Sequence, residues 1–142
     1  MAVIGRRLAI LLFLFAGIWA YAADPSSAAR SQVSAVAEAL SAGDATQAIS
    51  RFAKSYPDYV KLRRDFEGLT AFQIENQLAI TDENDTDKGI ELTITWDITI
   101  TGLSSDETKR RTGEIHATVA RVDGKWRIVT FAPLEIFNPQ IR

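Results

Sequence analysis

The chain has 142 residues, with 16 Lys plus Arg against 18 Asp plus Glu, one His, no Cys and 46% hydrophobic residues. That length and balance fit about one globular domain and exclude long disordered, collagenous and polybasic chains. The lack of Cys excludes disulfides, thiolate metal sites, a Cys nucleophile and a lipoprotein-type anchor, so packing must hold the fold together.

Residues 1–22 read as a secretory signal peptide. Arg6 and Arg7 precede an apolar run, and Ala20-Tyr21-Ala22 offers the small residues of a cleavage site before Ala23-Asp24-Pro25. The run is short against the roughly 20 residues of a membrane-spanning helix, which favours cleavage over a retained anchor. A basic n-region needs no twin-arginine explanation, so the general secretion route is preferred. The expectation is an exported protein, periplasmic or extracellular, with no stable membrane span after processing. The remaining chain, 23–142, is expected to form a single domain. Removing Arg6 and Arg7 takes with them no carboxylate, so the formal charge falls from −2 to −4. No basic stripe is left to attract nucleic acid.

The first half of that domain has helical period. Ala29, Val33, Val36, Ala37 and Leu40 form one apolar stripe, with Asp24-Pro25 or Ser26 and Ser27 as start signals and Gly43 as a stop. Asp44 then opens D-x-x-Q with Gln47, a relative of the capping box. A second helix is predicted from Ala45 to Tyr56 on the stripe Ala45, Ala48, Ile49, Phe52, Ala53, Tyr56. Pro57 suits the first turn of a short third helix carrying Tyr59, Leu62 and Phe66 up to Gly68.

Beyond Gly68 the period becomes two. Phe72, Ile74, Leu78 and Ile80 share one strand face, with Asn76 its polar exception. Ile90, Leu92, Ile94, Trp96, Ile98 and Ile100 alternate with polar residues in a second strand. The polar connection 82–89 predicts a hairpin centred near Asp85, opposing Ile74 to Trp96 and Leu78 to Leu92. A third strand near 109–122 has Ile115, Ala117 and Val119 in its apolar phase, and Asp123-Gly124 is a strong type I′ turn signal. That turn opposes Val122 to Lys125, Arg121 to Trp126 and Val119 to Ile128, and predicts His116 opposite Phe131 on the outer face. After Pro133, Ile136 and Phe137 seek cover, either over one end of the core or against a second subunit. Three helices and a four-stranded antiparallel meander, each apolar on one face, predict an α+β fold with the N-terminal helices packed on a curved sheet.

The order of helices, Gly43-Asp44, a Phe52-bearing helix, Pro57 and a long antiparallel sheet ending in the run Gly124-Lys-Trp-Arg-Ile-Val-Thr-Phe131 resembles the nuclear transport factor 2-like superfamily. The resemblance spans most of residues 23–142. It implies a cone in which a curved sheet wraps the first helix, with a hollow able to hold a small apolar ligand. The superfamily includes polyketide cyclases, ketosteroid isomerases, dehydratases and transport factors, so the fold names no reaction.

Enzymes of that kind place Asp, His or Tyr inside the cone. The expected inward residues here, from Phe72 through the Ile90–Ile100 series to Trp126, Ile128 and Thr130, include no carboxylate and no His. No catalytic residue is therefore assigned. The ligand-pocket candidates are Tyr56, Tyr59, Asn76, Trp96 and Trp126. His116 is expected on the outer face without triad partners. Asp82, Glu83, Asp85 and Asp87 lack EF-hand spacing and read as a solvated turn, so no metal and no cofactor is expected. Arg121 reads as a snorkelling side chain. Asn76 is either a pocket polar group or a residue near water, and without a ligand Asn76→Leu would be expected to stabilise. The outer sheet face is polar with an apolar strip and offers a homodimer surface.

Three functions remain. The first is an exported non-catalytic domain that binds a small apolar ligand or a protein partner. The second is an isomerase, cyclase or dehydratase using a helix Tyr and Asp65. The third is a structural envelope module whose cone is packed shut.

Overall fold

The computed structural model describes residues 24–139; the proposed signal peptide lies outside the described residues. Helix α1 runs Pro25–Ser41, α2 Ala45–Ile49 and α3 Tyr59–Leu69. Strands β1 Phe72–Thr86, β2 Gly89–Gly102, β3 Thr108–Val122 and β4 Lys125–Ala132 follow, and a 3-10 turn at Glu135–Phe137 ends the described chain. The sheet is an antiparallel meander in the order β1-β2-β3-β4, as the alternation predicts.

Helix α1 starts at the first of the two sequence signals, Asp24-Pro25. Asp24 caps it by accepting from Ser26 N at 3.1 Å, and Pro25 occupies the first turn. Its stripe Ala29, Val33, Val36, Ala37 and Leu40 is buried against the sheet. At α2, Asp44 accepts from Gln47 N at 3.0 Å, the carboxylate half of the predicted cap.

Helix α2 stops at Ile49 instead of reaching Tyr56. The next residues form a parallel bridge, Phe52 to Ile128, in which Ala53 N donates to Ile128 O at 2.9 Å and Ile128 N to Arg51 O at 2.8 Å. Backbone groups that would extend the helix are satisfied on the outer edge of β4 instead, which also covers that sheet edge.

The β1–β2 register also differs from expectation. Ile74 opposes Ile100 and Leu78 opposes Trp96, and the two-residue turn is Asp87-Lys88 between Thr86 and Gly89. Thr86 holds this turn, its hydroxyl accepting from Lys88 N at 3.2 Å and donating to Gly89 O at 3.0 Å. Gly89 has φ 131°, and a Cβ there would lie 2.5 Å from Val119 O. Of the acidic run, Asp82, Glu83 and Asp85 are therefore strand, and only Asp87 is turn. A bulge at Thr81 shifts its phase, so Glu83 pairs with buried Leu92 and Asp85 with buried Ile90.

The β3–β4 hairpin turns through Asp123 (φ 53°) and Gly124 (φ 81°), the positive pair that the sequence predicts. Its first pairs, Val122–Lys125, Arg121–Trp126 and Val119–Ile128, are those expected. A second bulge, at Val129, then reverses the phase. Phe131 pairs with Ala117 and is 1% exposed, while His116 pairs with Ala132. The predicted outward Phe131 is thus a core residue, and Thr130, expected inside, is exposed.

Candidate functional site

The space between helices and sheet is filled by aromatic rings. Trp96, fully buried on β2, meets Phe131 edge-on at 5.8 Å between centroids and Phe137 edge-on at 5.1 Å. Phe137 also meets Phe66 of α3 at 5.8 Å, and Phe52 joins Phe131 at 5.1 Å and Tyr56 at 5.6 Å. Edge-to-face geometry of this kind adds attraction beyond area burial. Among the described residues no polar or charged residue is fully buried.

Phe137 reaches this cluster because the segment after Pro133 folds back over the end of the cone. Arg111, on the inward phase of β3 opposite Ile98, donates to Ile136 O at 3.2 Å and to Asn138 O. Gly113 leaves room for Ile136, whose Cγ2 would lie 3.1 Å from a Cβ there, and Gly68 does the same for Pro139. The cover that Ile136 and Phe137 require is therefore the core of their own chain. Arg111 was not singled out in the sequence because an Arg near a strand end reads as a solvated side chain.

Asn76 and Trp96 are the two pocket candidates that the fold joins. Trp96 Nε1 donates to Asn76 Oδ1 at 2.9 Å, and Asn76 Nδ2 donates to Ala37 O and to Ser41 Oγ, each at 3.0 Å. Asn76 thereby ties the end of α1 to β1 and satisfies the only polar atom of the buried indole. This network reverses the expectation for Asn76→Leu from stabilising to destabilising.

Tyr56 is 5% exposed and its hydroxyl donates to Phe131 O. Burial, with a smaller contribution from the negative charge of Asp58, pushes its pKa up to about 12. It therefore holds its proton at neutral pH. Asp65 forms an i,i+4 ion pair with Lys61 at 2.9 Å along α3.

Tyr59 and Trp126 lie elsewhere, on two separate surface hollows. Tyr59 lines one of about 840 Å³ between the α2–α3 loop and the β3–β4 hairpin. Trp126 lines one of about 410 Å³ beside the β1–β2 turn. Arg121 lies 5.8 Å above the Trp126 ring and donates to Gly124 O at 3.1 Å, which occupies it locally. A third hollow, of about 700 Å³, crosses the β1 edge near Ser41, Asn76, Asp97 and Arg110.

Several charged groups on the sheet have structural partners. Arg110 binds Asp97 through both Nε and Nη2, and its hydrogen bonds hold the Asp97 carboxyl below the usual carboxylate range. His116 points outward as expected, 3.2 Å from Glu114. Glu83 accepts from Ser26 Oγ and lies 3.8 Å from Arg30, so it secures the start of α1. That role is hidden in the sequence because the bulge at Thr81 turns Glu83 across. Among the described residues no cluster of three or more His, Cys, Asp or Glu is placed to hold a metal.

A helix-filled cone of this kind defines the class of fold, and solved structures resemble it. A conserved protein from Planctomyces limnophilus aligns with TM-score 0.68 at 15% identity, over 76% of this chain and 93% of that one. A putative scytalone dehydratase from Novosphingobium aromaticivorans aligns with TM-score 0.64 at 13% identity, over 75% and 80%. A nuclear transport factor 2-like superfamily protein from Salmonella enterica aligns with TM-score 0.58 at 15% identity, over 76% and 90%. The chain has the nuclear transport factor 2-like fold. No sequence profile of a protein family matches it, and no curated protein matches it.

Proposed function

We propose that the protein is an exported, non-catalytic binding domain that makes its contacts through its surface, with the cone as a closed scaffold. The observation that carries this reading is the burial of Trp96, Phe131 and Phe137 against one another where a hollow cone would hold a ligand. A dehydratase-type reaction, suggested by the description of one structural relative, needs an acid or base facing substrate. The Tyr56 hydroxyl instead donates a hydrogen bond to the Phe131 carbonyl within the packed core. Export, to the periplasm or outside the cell, is supported by the signal-peptide pattern of residues 1–22. The outer sheet face, rich in Thr from β2 and β3, is the surface we assign to a protein partner, a second copy being the simplest.

Native mass spectrometry of the protein from the exported fraction tests this. The expected species lacks residues 1–22 and is dimeric, and loses its dimer when Thr95 and Thr99 are replaced by Lys. A monomer that binds nothing through this face, or a ligand held against Trp96, would overturn it.

A further inference from the structure

The hollow lined by Tyr59 brings apolar and cationic side chains together. Its volume of about 840 Å³ falls in the range of small-molecule sites. Half-buried Tyr59 and Val122 form an apolar floor over buried Phe52, and Lys54, Lys125 and Arg127 stand around it, with Asp123 the one carboxylate among its lining residues. Neither Lys54 nor Lys125 has an ion-pair partner among the described residues, and Arg127 donates to a neutral acceptor, Trp126 O, at 3.0 Å. Three cations against one carboxylate are thus gathered on a chain whose formal charge is −2. Both walls are fixed in place. The Phe52–Ile128 bridge holds the α2–α3 loop to β4, and the Asp123-Gly124 turn sets the hairpin.

We propose that this hollow binds a small amphipathic carboxylate, its anionic group between Lys54, Lys125 and Arg127 and its flat apolar body against Tyr59 and Val122. An inorganic anion would leave the apolar floor unused, and an uncharged apolar molecule would leave the cations uncompensated. The site borders the aromatic cluster at Phe52 but opens on the surface, and it stands whether or not the cone is closed.

The test is a titration of the exported protein with 2-naphthoate, followed by amide chemical shifts, with 2-naphthalenemethanol and inorganic phosphate as comparison probes. Saturable shifts are expected in residues 46–59 and 122–127. Affinity should fall about tenfold for the alcohol, and about tenfold for naphthoate in the double variant Lys54→Gln/Lys125→Gln. Both lysines are exposed, so the variant is expected to keep its fold, checked by its unchanged spectrum elsewhere. Equal binding of the alcohol, equal binding by the variant, phosphate binding as tight as naphthoate, or no saturable shift would overturn the proposal. Shifts centred on Trp96 and Phe131 would overturn it too, and would separately show that the cone opens. Sedimentation with phosphatidylglycerol vesicles, without a response to naphthoate, would reassign the cations to a lipid surface.

Discussion

Asn76 illustrates how a single polar residue can be misread from pattern alone. On an apolar strand face it suggests a ligand contact or a solvent leak, yet its amide serves the Trp96 indole and two groups of α1 at once. Asn76→Leu is therefore expected to destabilise by about 1–3 kcal/mol, because it leaves a buried N–H unpaired, and urea denaturation measures this. Tyr56 supplies a pH signature. Its pKa is raised in the folded state, so the stabilisation is complete below the ordinary tyrosine pKa near 10 and is lost as pH rises through about 12. Stability should fall over that interval, and Tyr56→Phe should remove this part of the fall, read from denaturation midpoints at pH 9 to 12.

At the scale of elements, legibility followed the interactions that are local in sequence. Helix α1, both Asp caps and the Asp123-Gly124 turn are each decided within a few residues, and each stands where periodicity or turn chemistry puts it. Asp44→Ala should accordingly cost about 1 kcal/mol, measured by thermal or urea unfolding, as the loss of an N-cap does elsewhere. What the sequence concealed depends on distant partners. The end of α2 is set by the edge of β4, and two bulges, at Thr81 and Val129, reverse strand phase without any Gly or Pro to mark them. Those two reversals account for both the core position of Phe131 and the reach of Glu83 to α1. Of the five pocket candidates, the apolar character of Trp96 and the burial of Tyr56 were readable. The packing of Phe137 on Trp96 was readable only as one of two possible covers for the segment after Pro133, because the choice rests on long-range partners such as Arg111.

At the scale of the whole molecule, the segment after β4 packs into the core of its own chain. Phe137 contributes ring contacts to Phe66, Trp96 and Phe131, so Phe137→Ala should cost about 3–5 kcal/mol and leave an apolar void. If that void is retained, the variant should bind a benzene-sized solute that the parent protein excludes, which xenon or benzene shifts in a methyl spectrum would register. Arg111→Met is expected to act more gently, keeping the ring in place while raising hydrogen exchange at Phe137 N–H, which donates to Leu134 O at 3.0 Å. A variant in which exchange there is unchanged would show that the segment is held by its apolar residues alone.

The placement of tryptophans has an optical consequence. The sequence contains three, at 19, 96 and 126, and cleavage after Ala22 would remove the first. Of the two that remain, Trp96 sits fully buried among Phe rings with its indole N–H bonded to an amide, while Trp126 is half-buried beneath Arg121. Emission from Trp96 should therefore be blue-shifted and shielded from iodide, and emission from Trp126 red-shifted and quenchable. One fluorescence spectrum then reads two regions of the molecule at once: the blue component follows packing around Trp96, and the red component follows the charged surroundings of the hairpin.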